Sequence, residues 1–93
     1  MAGAQVALQG SVVEIDGERA ELAPRERAVL DALVAAGGAV VPRPALMEQV
    51  WGPGGTDPHV LEVTVGRLRR RLGPAGGALV ASPGRGYRLD LSG

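Results

Sequence analysis

The stretch that decides the fold is His59-Val60-Leu61-Glu62-Val63-Thr64-Val65-Gly66-Arg67-Leu68-Arg69-Arg70-Arg71-Leu72. Leu61, Val65, Leu68 and Leu72 recur at i, i+4, i+7 and i+11, which puts them on one stripe of a helix and turns that stripe toward a core. The opposite face carries His59, Val63, Gly66, Arg67 and Arg70, with Thr64 and Arg71 on one flank and Glu62 and Arg69 on the other. The spacing predicts a helix over 57–72. Thr56 or Asp57 can cap it, with Pro58 in the first turn, and Gly73-Pro74 stops it.

Upstream lie two shorter apolar repeats. Val29, Leu30, Leu33 and Val34 follow Pro24 and run to Gly37-Gly38, which reads as a first helix. Leu46, Met47, Val50 and Trp51 follow Pro42-Arg43-Pro44 and end at Gly52-Pro53-Gly54-Gly55, a second helix, with room for one short strand at Ala39 to Val41. Before the helices, Val6, Leu8, Val13 and Ile15 alternate with polar residues as half-buried strands do, and Asp16-Gly17 is a hairpin turn leading to a third strand over 18–22. Downstream, Leu79 to Ser82, a turn through Pro83-Gly84-Arg85-Gly86, and Tyr87 to Leu91 form a second hairpin. The fold class is therefore α+β: a small N-terminal antiparallel sheet, three helices and a C-terminal β-hairpin. One domain is expected over residues 5–92, with 1–4 as a flexible leader.

Composition narrows the function. The chain of 93 residues has no cysteine and a single histidine, so neither a disulfide framework nor a thiolate metal site is available, and no cofactor or metal is expected. No apolar run nears the roughly 20 residues of a membrane span and no signal peptide opens the chain, which points to a cytoplasmic protein without a membrane partner. The formal net charge is zero, but it is unevenly placed. Residues 1–58 hold four Arg against eight acids, and residues 59–93 hold six Arg against two, a split of −4 and +4. Such polarity points to an anion-binding surface in the last third. Enzymatic readings lack parts: there is no nucleophile with a base, and no phosphate-cradling loop leading into a helix.

Two short helices, an Arg-studded third helix and a hairpin bearing Arg85 and Arg88 reproduce a winged helix-turn-helix. At this point the sequence resembles the OmpR/PhoB-type DNA-binding effector domain of bacterial response regulators over nearly its whole length. The resemblance is carried by Leu22-Ala23-Pro24-Arg25-Glu26, Val29-Leu30, Leu46-Met47-Glu48-Gln49-Val50-Trp51-Gly52, Val63 to Leu72, and Gly84-Arg85-Gly86-Tyr87-Arg88. It implies double-stranded DNA as partner, the third helix in the major groove, the 79–91 hairpin as a wing at an adjoining minor groove, and copies arranged in tandem on DNA. It also implies a two-component phosphorelay with an N-terminal regulatory domain in a parent chain, this chain being either a fragment of such a regulator or a free-standing reader. RNA polymerase is a further partner in some members of the family, through the loop that here is the small, Gly-rich stretch from Gly52 to Asp57.

On that geometry Arg67 is the candidate for a bidentate contact to guanine and Val63 for packing on a thymine methyl. Trp51 through its indole N–H, His59, Thr64, Arg69, Arg70 and Arg85 are candidates for phosphate or groove contacts. About four or five neutralised phosphates would give a salt slope on the order of −4. The isolated domain is expected to be a monomer. Departures from the family pattern include Ala23 where Thr is usual, which breaks the Thr-x-x-Glu capping box, Arg27 where an aromatic is usual, and Gly66 in place of a frequent basic residue. In the wing, Ala81 and Pro83 stand where Thr and Arg are common, so Arg85 substitutes from the tip. The rival reading is a winged helix used for protein docking within a larger chain, which would ignore DNA even at low salt.

Overall fold

At Asp16 and Gly17 the backbone takes φ of 51° and 87°, the left-handed pair that a two-residue type I′ hairpin requires. This turn joins two strands of the N-terminal sheet in a computed structural model, which describes residues 6–54 and 57–90. The sheet runs β1 (Val6–Gln9), β2 (Val12–Ile15) and β3 (Glu18–Glu21), all antiparallel, with Leu8 opposite Val13 and Val13 opposite Ala20. Val13 and Ile15 are fully buried while Glu14 between them is exposed, the period-2 alternation of a strand with one face on a core. The third strand stops one residue short of the expected Leu22. That residue still continues the β2–β3 ladder, donating its N–H to the Ser11 carbonyl at 2.8 Å.

Helix α1 (Pro24–Ala35) begins on proline, whose missing N–H is no loss in a first turn. Ala23 has no side-chain oxygen for its N-cap role, but half of the capping box survives, because Glu26 Oε1 accepts the Ala23 N–H at 3.1 Å. Arg27, in the place of an aromatic, ties the helix to the first hairpin instead: its Nε donates to the Gly10 carbonyl at 2.8 Å and its guanidinium pairs with Asp31. The short strand after α1 is β4 (Val41–Pro42), which begins two residues later than expected, and α2 (Arg43–Trp51) follows at once.

Helix α3 (His59–Leu72) starts later than the spacing predicts. Asp57 nevertheless supplies the cap, since its Oδ1 accepts the His59 N–H at 3.0 Å, while Thr56 lies outside the described residues. Leu61, Val65, Leu68 and Leu72 are buried, as the stripe required. A 3₁₀ turn over Gly73–Ala78 then leads into β5 (Leu79–Ser82) and β6 (Gly86–Leu89). The last strand ends earlier than expected; Leu91, like Met1 to Ala4, falls outside the described residues. The wing is not a free hairpin. Strand β4 pairs with β6, Val41 opposite Tyr87 and Pro42 opposite Gly86, so the second sheet has the order β4-β6-β5.

A single core joins these pieces. Val13 and Ile15 from β2, Leu30 and Leu33 from α1, Leu46 from α2, Leu61 and Leu68 from α3 and Leu89 from β6 are each fully buried. With no Phe in the chain, aliphatic packing supplies the burial, at about 1.5–3 kcal/mol for each large side chain. The core fixes α3 with one stripe inward and the other side turned out.

Candidate nucleic-acid interface

The outward side of α3 is defined by what the inward side buries. His59, Arg67 and Arg70 are exposed, and Val63 and Gly66 are half-buried. Glu62, the only acid on the helix, is exposed but neutralised: Arg43 at the start of α2 reaches its carboxylate at 3.1 Å while lying over the Tyr87 ring, 5.6 Å from the centroid. The pair ties α2, α3 and β6 together and removes a negative charge from the first turn of α3.

The three consecutive arginines of α3 have different surroundings. Arg69 is half-buried and donates from Nε and Nη2 to the Leu79 carbonyl, at 3.2 and 3.0 Å. Arg71 places Nε 2.6 Å from Glu26 Oε1, a carboxylate only 3% exposed in the first turn of α1. Arg70 alone of the three has no hydrogen bond or ion pair among the described residues. Sequence spacing separates these roles poorly, since Glu26 lies 45 positions away from Arg71 and Leu79 beyond the helix end.

Of the ten arginines, Arg19, Arg67, Arg70 and Arg85 have guanidinium groups without an ion pair or hydrogen bond among the described residues. Arg19 sits on the N-terminal sheet; the other three sit on α3 and on the turn of the wing. Arg88, the other wing arginine, lies 3.7 Å from Asp90. Arg25 lies over the Trp51 ring, 5.9 Å from its centroid, and donates to the Val50 carbonyl at 2.5 Å. Trp51 itself packs partly buried against the core, and its indole N–H has no partner among the described residues.

Thr64 differs from its expected place on a flank of the outward face. It is 6% exposed, so the buried side of α3 is wider than a lone helical wheel indicates. The structure thus groups His59, Val63, Arg67 and Arg70 on one outward surface, adds Arg85 on the neighbouring wing, and draws Thr64 and Arg69 inward. Arg43 was missed by the sequence reading as a residue of this surface; the Arg-Pro that opens α2 carried no charge pattern to single it out. Among the described residues no cluster of His, Asp and Glu could hold a metal, and no helix is long and apolar enough to cross a membrane.

An outward cationic helix beside a β-hairpin defines the class, a winged helix-turn-helix. The chain belongs to the family described as transcriptional regulatory protein, C terminal, whose model matches residues 17–89; it is an OmpR/PhoB-type DNA-binding effector domain. It is 46% identical over 76 residues to the transcriptional regulatory protein CutR of Streptomyces coelicolor, an alignment covering 80% of this chain and 34% of CutR. The chain thus spans about a third of the length of that relative. Among solved structures, the DNA-binding domain of Escherichia coli CadC superposes with a TM-score of 0.79 at 21% identity, covering 99% of this chain and 94% of that one. The DNA-binding domain of the response regulator AdeR, solved in complex with an intercistronic region, gives 0.73 at 22% identity, covering 97% and 96%. Both share the fold described above.

Proposed function

We propose that this domain reads duplex DNA by laying α3 in the major groove, Arg67 and Val63 toward base edges, with Arg70 and His59 on flanking phosphates and Arg85 reaching from the wing. The observation that carries the reading is the distribution of unpartnered guanidinium groups. Apart from Arg19 on the N-terminal sheet, the fold neutralises or occupies its other arginines yet leaves Arg67, Arg70 and Arg85 free, among the described residues, on one helix face and the adjoining turn. An exposed surface of that sign and spacing suits a phosphate backbone on both sides of a groove. Trp51 belongs to the same surface through its indole N–H, a donor suited to phosphate. Arg69 and Thr64 support the interface from beneath.

In the same reading the domain is the output piece of a longer regulator, with an N-terminal module controlling it and copies sitting in tandem on DNA. The loop after α2 is the place where RNA polymerase would be met. The docking alternative is not favoured by the family to which the chain belongs.

Titration of the purified domain with random-sequence duplex at several salt concentrations tests the proposal. With Arg69 and Arg71 engaged by partners within the protein, about three phosphates are neutralised, and log affinity falls against log salt with a slope of about −3, shallower than the −4 expected for four or five phosphates. A slope near zero, or no binding at low salt, overturns it.

A further inference from the structure

Gly66 stands in the eighth position of a fourteen-residue helix, where glycine is less favourable than alanine by about 1 kcal/mol. A helix tolerates this where φ is positive, where another part of the protein presses on the backbone, or where something outside must approach it closely. Neither of the first two holds. Gly66 does not have a left-handed φ, and a Cβ built on it meets nothing within 4 Å. The contrast inside the same chain is plain, since a Cβ on Gly76 would lie 2.6 Å from the Arg69 carbonyl oxygen and one on Gly86 2.0 Å from that of Val41. Those two glycines are demanded by the fold; Gly66 is not.

Its neighbours on the outward surface are Val63, three residues earlier, and Arg67 and Arg70, one and four residues later. Gly66 therefore leaves a shallow notch in the middle of the surface that carries the free cations. Its own N–H and C=O lie inside the helix ladder, so the floor of the notch offers no free donor or acceptor, and the wall on the Val63 side is made of methyl groups. A polar base edge set there would lose its water without gaining a partner. Among the groups a major groove presents, the C5-methyl of thymine is the apolar one. Resting on the DNA-reading proposal above, we infer that Gly66 is a specificity-determining residue: its missing side chain seats a thymine methyl between Val63 and Arg67.

The experiment is a double-mutant cycle between protein and DNA. A preferred duplex is selected in vitro with the wild-type domain, and each thymine is replaced in turn by deoxyuridine, which removes only the methyl. The wild type is expected to lose about fourfold in affinity at one position, the factor for burying one methyl group. Gly66→Ala is expected to melt at a higher temperature than the wild type, to bind random duplex with the same salt slope, and to bind the selected site about tenfold more weakly. It should also be indifferent to deoxyuridine at the sensitive position. The inference is overturned if Gly66→Ala binds the selected site as the wild type does, if both proteins lose the same factor on deoxyuridine, or if the selected site has no thymine whose methyl matters. A wild type that fails to distinguish the selected duplex from a scrambled one overturns the underlying DNA-reading proposal instead, and the notch with it.

Discussion

The Arg69 guanidinium donates twice to one acceptor, the carbonyl oxygen of Leu79, and so binds the last turn of α3 to the first residue of the wing. Hydrogen bonds from a charged donor contribute about 1.5–3 kcal/mol when buried, and Arg69 is half-exposed, so the lower end applies. Arg69→Ala should therefore lower stability by about 1–2 kcal/mol in urea denaturation. It should leave the salt slope for random duplex nearly unchanged. Arg70→Ala, at the next position, should do the reverse, keeping the denaturation midpoint and making the slope shallower by about 0.9. If the two variants exchange these behaviours, the division of labour within the arginine run is wrong.

Glu26 and Arg71 make the strongest case for an ion pair that matters to the fold. The carboxylate is almost wholly buried, and besides Arg71 it accepts only the Ala23 N–H among the described residues. Arg71→Ala strands that carboxylate, and the loss should be about 1–3 kcal/mol; the figure is kept below that for a fully buried pair because Arg71 is 51% exposed. Calorimetry on Arg71→Ala and on the Glu26→Gln/Arg71→Ala double variant checks this. The double variant should recover part of the loss, since it no longer buries an unpaired charge.

The proposed reading role of Arg67 can be separated from gripping. Arg67→Ala should remove about 1–3 kcal/mol of discrimination between a selected and a scrambled duplex, while random-sequence binding falls much less. Fluorescence titration of both duplexes gives the ratio directly. Equal losses on the two would make Arg67 a phosphate clamp.

Gly86 is held where β4 and β6 come closest. A Cβ there would stand 2.0 Å from the Val41 carbonyl oxygen and 2.8 Å from its carbon, backbone atoms with no rotamer to give way. Gly86→Ala should cost at least about 2 kcal/mol, near the upper range for overpacking. Gly66→Ala offers the matched control, because its methyl enters open space. Similar stability for the two variants would mean that the β4–β6 approach is not as close as described.

The elements that could be read from the sequence are those whose information is local. The Asp16-Gly17 turn follows from two adjacent residues, and the core stripe of α3 from one repeat, Leu61 to Leu72. The half-box at Ala23 escaped because a missing threonine hides the other, intact hydrogen bond from Glu26. The fates of Arg69 and Arg71 are non-local: their partners lie on the wing and on α1, and neighbouring arginines in a run look alike until the fold supplies different acceptors. Thr64 was turned inward for the same reason, since packing from other elements decides how wide the buried side of a helix becomes. The Gly73–Ala78 turn has neither apolar periodicity nor a charge to mark it, and the β4–β6 pairing joins segments some 45 residues apart.

That last pairing couples the wing to the connection between the first two helices, and the two parts are expected to melt together. The strand between α1 and α2 is hydrogen-bonded to the final strand of the domain, so the hairpin cannot peel off while the helices stay folded without also opening the connection between them. Amide protons in β6 should then exchange with solvent only through global unfolding, as slowly as those of the α1 core, rather than through local fraying of a terminal hairpin. On the docking proposed above, a reader built this way would hold its helix and its wing at a fixed separation and so gauge the distance from one groove to the next.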